Sequence, residues 1–407
     1  MNSTQDVRDI GYELSIKNLL NNTTDYGILA AAPQNKESES KFYTSLFSRD
    51  VGVCTLGALS SDNDELILAA KNALTSLTKA QSERGQFPHY FRPETNTVEW
   101  WMPCTIDGTI WWSIAVLEYY KKTKDEDFYK KMKPHLDKAY TWLTYMDTNN
   151  DYLLEQGDAA DWADEMPRSG LVLYTNTLWY WLIKLKIEVE KRNDLKQLKE
   201  RVYEGFNTML WVHKGSDNNL EYVPDNQYTR DSAFSKCMIE WTNSRAVFLP
   251  YYLGYVSHKT FEMRCDVYGN VLACLVGLAD EAKAEAITDF IIRADCNKPY
   301  PVRSLYPPIY PNEPDWKEYM AKGRQNYPWQ YHNGSVWPYI GGFWVKWLSQ
   351  YNKDLAKKEL TGLAEANKIN DWEFNEYLHG QTGSPIGIPY QSWNMGMYIV
   401  AYNSVNK

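Results

Sequence analysis

Residues Ile106 to Tyr120 read IDGTIWWSIAVLEYY, and Glu126 to Met146, just beyond them, read EDFYKKMKPHLDKAYTWLTYM. The first segment is apolar nearly all round, the signature of a helix buried on every side. The second carries its charges on one face, as a helix covering a core does. The same pairing recurs along the chain. Apolar segments run from Val51 to Leu59, Val172 to Leu185, Val267 to Leu278, Val336 to Leu348 and Gln391 to Ala401. Amphipathic segments run from Val7 to Leu20, Asp64 to Ala80, Asp194 to Leu210, Asp280 to Ile292 and Lys353 to Lys368. Six of each in strict alternation predict an all-α fold: a single (α/α)6 toroid, with six inner helices wrapped by six outer ones. The N-terminal amphipathic helix would close the outer ring between the chain ends. No Pro/Gly/Ser-rich linker interrupts the alternation, so residues 1–407 read as one domain. An open α-solenoid is the weaker alternative, because the segments have no fixed repeat length and their loops are unequal and rich in Trp, Tyr and Pro.

Composition narrows the function. Lys and Arg number 43 against 52 Asp and Glu, a net charge of −9, and no basic block stands out, so nucleic acid is not an expected partner. Aromatic residues reach 15%, with 17 Trp, 31 Tyr and 12 Phe. A large core accounts for most of these rings, and the remainder suit a cleft for a stacking ligand such as a sugar. The cysteines at 54, 104, 237, 265, 274 and 296 form no CxxC pair and lack histidines at zinc-ligand spacing. They read as reduced thiols of a cytoplasmic protein. The start Met1-Asn2-Ser3-Thr4-Gln5-Asp6 carries no signal-peptide pattern, and no apolar run is long enough to span a bilayer. Neither a Gly-rich phosphate loop nor His-Glu-x-x-His is present, so no metal, nucleotide or flavin cofactor is expected.

In such a toroid the segments leading into the inner helices gather at one end, and the chemically informative residues lie there. Ser48-Arg49-Asp50 precedes the first inner helix and Thr105-Ile106-Asp107-Gly108 opens the second. Asp161-Trp162-Ala163-Asp164-Glu165-Met166-Pro167-Arg168 leads into the third, Gln330 to Trp337 into the fifth, and Glu376 to Trp393 into the sixth. Carboxylates set among aromatic rings and amides suit sugar chemistry. Rings stack on apolar sugar faces, amides bond hydroxyls, and a carboxylate activates water.

These islands resemble motifs of the inverting glycoside hydrolases built on the (α/α)6 barrel: the neutral invertases, family 63 and the glycogen-debranching glucosidases. Asp164-Glu165-Met166-Pro167-Arg168 is similar to the family 63 stretch Asp-Asp-x-Pro-Arg, whose first Asp is the general acid. Phe374-Asn375-Glu376-Tyr377 and Tyr390-Gln391-Ser392-Trp393 resemble the invertase Trp-Pro-Glu-Tyr and Tyr-Gln-Thr-Trp. The resemblance implies Asp164 as acid and Glu376 as base, with Asp161 and Glu373 as rivals. Arg49 and Asp50 resemble the pair that grips the terminal sugar, unless they form a structural ion pair. Asp107 and Trp112 lie in a stretch similar to the invertase Asp-Ser-Gly-Leu-Trp-Trp, which also reads as a helix cap followed by core rings. Trp162, Arg168, Gln330, Tyr331, His332, Asn333, Trp337, Gln391 and Trp393 complete the expected sugar-binding set. Asn333 departs from family 63, which carries Arg there, and is closer to the invertases. The implied activity is inverting hydrolysis of an α-glucosidic bond in a small saccharide or glucosyl conjugate, with sucrose a candidate. A sugar 2-epimerase on the same fold, or a non-catalytic sugar binder, are the alternatives.

Overall fold

The computed structural model describes residues 6–40, 42–101, 105–213 and 222–407; Cys104 lies outside them. Twelve helices form the body: α1 (Val7–Asn21), α2 (Ser48–Ser61), α3 (Asp64–Leu77), α4 (Ile106–Thr123), α5 (Glu126–Thr144), α6 (Leu173–Val189), α7 (Lys196–Leu210), α8 (Val267–Val276), α9 (Glu281–Arg293), α10 (Pro338–Tyr351), α11 (Lys353–Trp372) and α12 (Ser392–Asn406). Helices α2, α4, α6, α8, α10 and α12 pack each on the next, and α12 returns to α2. Around this closed inner ring, α3, α5, α7, α9 and α11 each pack on the inner helix before them, and α1 packs on α12. The expected (α/α)6 toroid is therefore the fold, with the ring closed by the two ends of the chain. Tyr398 donates to the Arg8 carbonyl at 3.0 Å and Tyr402 to the Asp9 carboxylate at 2.7 Å, sealing that closure.

The two rings begin their helices differently. Five of the six outer helices start on an Asn or Asp whose side chain accepts a backbone N–H: Asp6 for α1, Asn63 for α3, Asp125 for α5, Asp280 for α9 and Asn352 for α11. Among the inner helices only α8 has such a cap, on Asp266. The others begin from extended residues without a side-chain cap, namely Phe47, Thr105, Val172, Trp337 and Gln391. Their positive ends face the mouth, where the carboxylates lie.

Two boundaries matter for the site. Helix α2 starts three residues before the expected Val51, so Arg49 and Asp50 stand on its first turn and not in a preceding loop. Between α7 and α8 the chain inserts helices Gln227–Asp231 and Ala233–Arg245, which the alternation did not foretell. The strands are two or three residues long and serve as staples. Leu46–Phe47 pairs with Tyr90–Phe91, and Glu155–Gln156 with Gly170–Leu171. Val336 and Leu378 exchange backbone bonds of 2.9 and 2.8 Å, which draws the segment 331–337 against 376–378. Most aromatic rings are in the core or packed against it, and no described helix is long and apolar enough to cross a membrane.

Candidate active site

The loop 161–168 is held by a buried ionic frame. Arg168 binds Asp161 through its Nε and Nη2 at 2.6–3.1 Å and reaches Asp266 through Nη1 at 2.9 Å. Asp161 also accepts from Gln156 and from the Ala163 N–H. All of its bonds thus go to fixed structural donors, whereas Asp164, three residues on, lies in the lining of a cavity. Its Oδ1 is 3.4 Å from the Tyr331 hydroxyl and 3.7 Å from His332 Nδ1. Burial pushes the Asp164 carboxyl up to about 7; Arg49 opposes the rise, while Glu165, Asp161 and Glu376 add to it. Burial, with Arg168 and Arg49 nearby, holds His332 well below its usual range, so the contact with Asp164 is not an ion pair.

Glu376 enters the cavity from the opposite arm of the chain. Tyr43 donates its hydroxyl to Glu376 Oε1 at 2.7 Å, and the Ile388 N–H donates to Oε2 at 3.0 Å. Its sequence rival Glu373 accepts from Asn370 near the surface and is not part of the lining. Arg49 Nε lies 3.7 Å from the fully buried Asp107, so its partner is Asp107 on α4 and not the adjacent Asp50. Burial raises Asp50 to about 7 and Asp107 to about 6, with Arg49 opposing the rise in both.

One narrow cavity, about 60 Å³, gathers Arg49, Asp50, Trp162, Asp164, Tyr331, His332, Trp337, Glu376, Gln391 and Trp393. Many of its polar atoms are buried without a hydrogen-bond partner: Arg49 Nη1, His89 Nδ1, Trp162 Nε1, His332 Nδ1, Gln391 Nε2 and Trp393 Nε1. Four of these are N–H donors in every protonation state, and together the group matches a ligand rich in hydroxyl oxygens.

The residue model for alkaline and neutral invertases matches residues 172–407, more than half of the chain. The chain belongs to the alkaline and neutral invertase family of glycoside hydrolases. It is 22% identical over 322 residues to the probable alkaline/neutral invertase D of Arabidopsis thaliana, covering 73% of this chain and 59% of that protein. It is 22% identical to cytosolic invertase 1 of Oryza sativa subsp. japonica over 73% of this chain and 56% of the relative. The chain thus spans little more than half the length of these curated relatives. Among solved structures, the GH63 mannosylglycerate hydrolase from Thermus thermophilus, in complex with Tris and D-glycerate, superposes with a TM-score of 0.65 at 13% identity. The match covers 96% of this chain and 99% of that one. A bacterial glucoamylase complexed with acarbose gives a TM-score of 0.60 at 12% identity, over 97% of this chain and 55% of that one. These superpositions establish a shared fold.

Five expected sugar-binding residues stand outside the cavity, each for a physical reason. Trp112 is fully buried on the outer side of α4, where its indole donates to the Leu74 carbonyl at 3.0 Å and its ring stacks on Phe87. Asn333 has its amide committed to Ile309 and Asn326 backbone groups at 2.7–2.9 Å, which fastens the loop 326–333. Arg168 is the hub of the ionic frame, and Asp107 lies beneath Arg49. Gln330 belongs to the turn bridging to Asn333 and does not border the cavity. Conversely, Tyr43, Phe47 and His89 line the cavity without having been singled out from sequence. The first two lie just ahead of Ser48-Arg49-Asp50, in the aromatic stretch Phe42-Tyr43-Thr44-Ser45-Leu46-Phe47, and widening that island would have found them. His89, brought in by the hairpin that pairs with Leu46–Phe47, carried no such signal.

Proposed function

We propose that this protein is an inverting glycoside hydrolase, with Asp164 as general acid and Glu376 as general base, acting in one catalytic domain formed by the whole chain. The observation that carries the reading is the pairing of two differently held carboxyls in one cavity. Asp164 is pushed up to about 7, so at neutral pH a large fraction holds the proton that a leaving oxygen needs. Glu376 receives two hydrogen bonds, from Tyr43 and from the Ile388 N–H, and both orient it as an acceptor able to take a proton from water. In the forward step Asp164 protonates the glycosidic oxygen as the bond to the anomeric carbon breaks. Glu376 takes a proton from water as that water attacks the opposite face. Two carboxyls separated by about 6.5–9.5 Å leave room for this water, and the anomeric configuration inverts.

Arg49, Asp50, His89, Gln391 and the indoles of Trp162 and Trp393 supply the donors, acceptors and stacking faces for the sugar ring. A small α-glucoside is the proposed substrate, with sucrose the first candidate because of the family. Cytoplasm is the proposed location. Burial shifts both histidines of the cavity, His89 and His332, downward, which disfavours the histidine acid–base chemistry of an epimerase.

The test is hydrolysis of sucrose and a panel of α-glucosides followed by NMR, which reads the anomer first released. An inverted product is expected. Asp164→Asn should lower turnover of a natural glycoside by about two orders of magnitude or more but affect a glycosyl fluoride less, because fluoride leaves without help. Glu376→Gln should depress both substrates. Near-native turnover in both variants would remove the pair from the mechanism, and a retained anomer would exclude inversion.

A further inference from the structure

A second concave surface lies at the mouth end of the toroid, outside the catalytic cavity. It is a groove of about 420 Å³ bordered by Asn18, Asn21 and Asn22 of the α1 terminus, Gln34 and Asn35 of the following loop, and Tyr390. Its position follows from the closure of the ring. Asn22 donates to the Tyr390 carbonyl at 2.8 Å and to Ser392 Oγ at 2.9 Å, which brings the end of α1 to the start of α12. A bridge between Ala31 and Gln391 ties the same loop to a residue of the catalytic cavity.

The chemistry of this groove is unusual for a surface of this protein. Five of its bordering side chains are carboxamides, one is an aromatic phenol, and no charged side chain is among them. The larger cavity beside α7, by contrast, is bordered by Arg201, Glu204 and Asp231, which pair with one another. Asn22 is spent on the framework, and Asn35 accepts the Glu37 N–H. The amides of Asn18, Asn21 and Gln34 bond to no other described residue, so each offers one acceptor and two donor hydrogens to the groove. Tyr390 sits at φ 59, a left-handed backbone that an aromatic residue rarely adopts, and borders the groove from there. Paired donors and acceptors without charge match vicinal hydroxyls, each of which donates and accepts. A phosphorylated or carboxylated ligand would find no cation here.

We propose that this groove is a second saccharide-binding site, taking a neutral oligosaccharide independently of the carboxylate pair. Weak attachment is expected, because exposed amides bond sugar hydroxyls in exchange for water.

The site can be read directly in ¹⁵N-labelled Glu376→Gln protein, titrated with maltotetraose, nystose, cellotetraose and mannotetraose. The side-chain amide signals of Asn18, Asn21 and Gln34, assigned from the single alanine variants, should shift saturably with at least one of them. Combining Asn18→Ala, Asn21→Ala and Gln34→Ala should weaken that binding about tenfold or more. The same triple variant in the otherwise native enzyme should hydrolyse disaccharides within about twofold of the native rate and melt at a similar temperature, as exposed substitutions do. No shift of these amides with any of the tetrasaccharides overturns the proposal, as does a response to glucose 6-phosphate alone. Loss of disaccharide hydrolysis in the triple variant would also overturn it, by making the groove part of the catalytic site. Failure of the acid–base assignment would appear in the Asp164 and Glu376 variants and leave these amide shifts untouched.

Discussion

Tyr43 touches the proposed base, yet its only mark in the sequence is its place in the aromatic stretch just ahead of Ser48-Arg49-Asp50. Its hydroxyl lies 2.7 Å from Glu376 Oε1, and burial together with the Glu376 and Asp164 charges keeps that phenol protonated and donating. Tyr43→Phe removes one charge-assisted bond of about 1.5–3 kcal/mol while preserving the ring. Turnover should fall about 10- to 100-fold with little change in KM, as steady-state kinetics on a disaccharide would read. A change in KM alone would make Tyr43 a sugar contact. For Asp164 the direction of the shift sets the pH profile. The donated proton is lost as pH rises through about 7, so kcat should decline on the alkaline side with a midpoint near there. With a glycosyl fluoride, Asp164→Asn should abolish that limb. At this scale Asp164, Glu376, Asp50 and Trp393 could be picked out as residues sharing one cavity because their islands carry recognisable neighbours. Asn333 and Trp112 misled for the same reason: a motif shows which residue occupies a position but not whether its polar atoms are already bonded to backbone.

Inner helices of a toroid approach closely only where side chains are small. A Cβ on Gly57 would lie 2.3 Å from the Gly396 Cα, and one on Gly342 would lie 2.6 Å from the Met397 Cβ, so α12 is wedged between α2 and α10 at glycines. Backbone cannot yield as a side-chain tip can. Gly57→Ala should therefore destabilise the protein by about 1–3 kcal/mol or more, the range for overpacking, with urea unfolding as the measurement. An unchanged midpoint would mean that the helices slide apart freely. The first residues of these helices also decide what the site contains. Arg49 and Asp50 project from the first turn of α2 and Asp107 from that of α4, which brings Arg49 Nε within 3.7 Å of Asp107. Alternation of apolar and amphipathic segments predicted these helices well, since burial of one face or all faces is written in side-chain polarity. The N-terminal end of α2 was less legible, because its uncapped start at Phe47 carries no capping residue to read.

Across the whole molecule, the mouth that holds the candidate site concentrates carboxyls where water is scarce. Asp164 is raised from 3.8 to about 7, and Asp50 from 3.8 to about 7, both chiefly by burial. A carboxyl with a folded-state value above its unfolded one takes up a proton on folding, so stability falls across this pH window and the penalty is complete above about pH 7. Asp164→Asn removes a charge that the folded state holds poorly. Its melting temperature should exceed the native one by several degrees at pH 8 and by much less at pH 4, as calorimetry at the two pH values would read. An equal gain at both would mean that packing and not charge is responsible.

The sequence by itself determined the alternation of helices, the closure by the N-terminal helix, and the order in which candidate residues reach the mouth. Each of these depends on periodicity and chain order, which are local properties. Only the tertiary structure decided which candidates share the cavity. It committed Asp161 to Arg168 and left Asp164 facing the cavity, and it delivered Tyr43 and His89 from segments 333 and 287 residues before Glu376. Those outcomes rest on which polar atoms are satisfied by distant partners, a property of the packed chain that no short stretch of sequence contains.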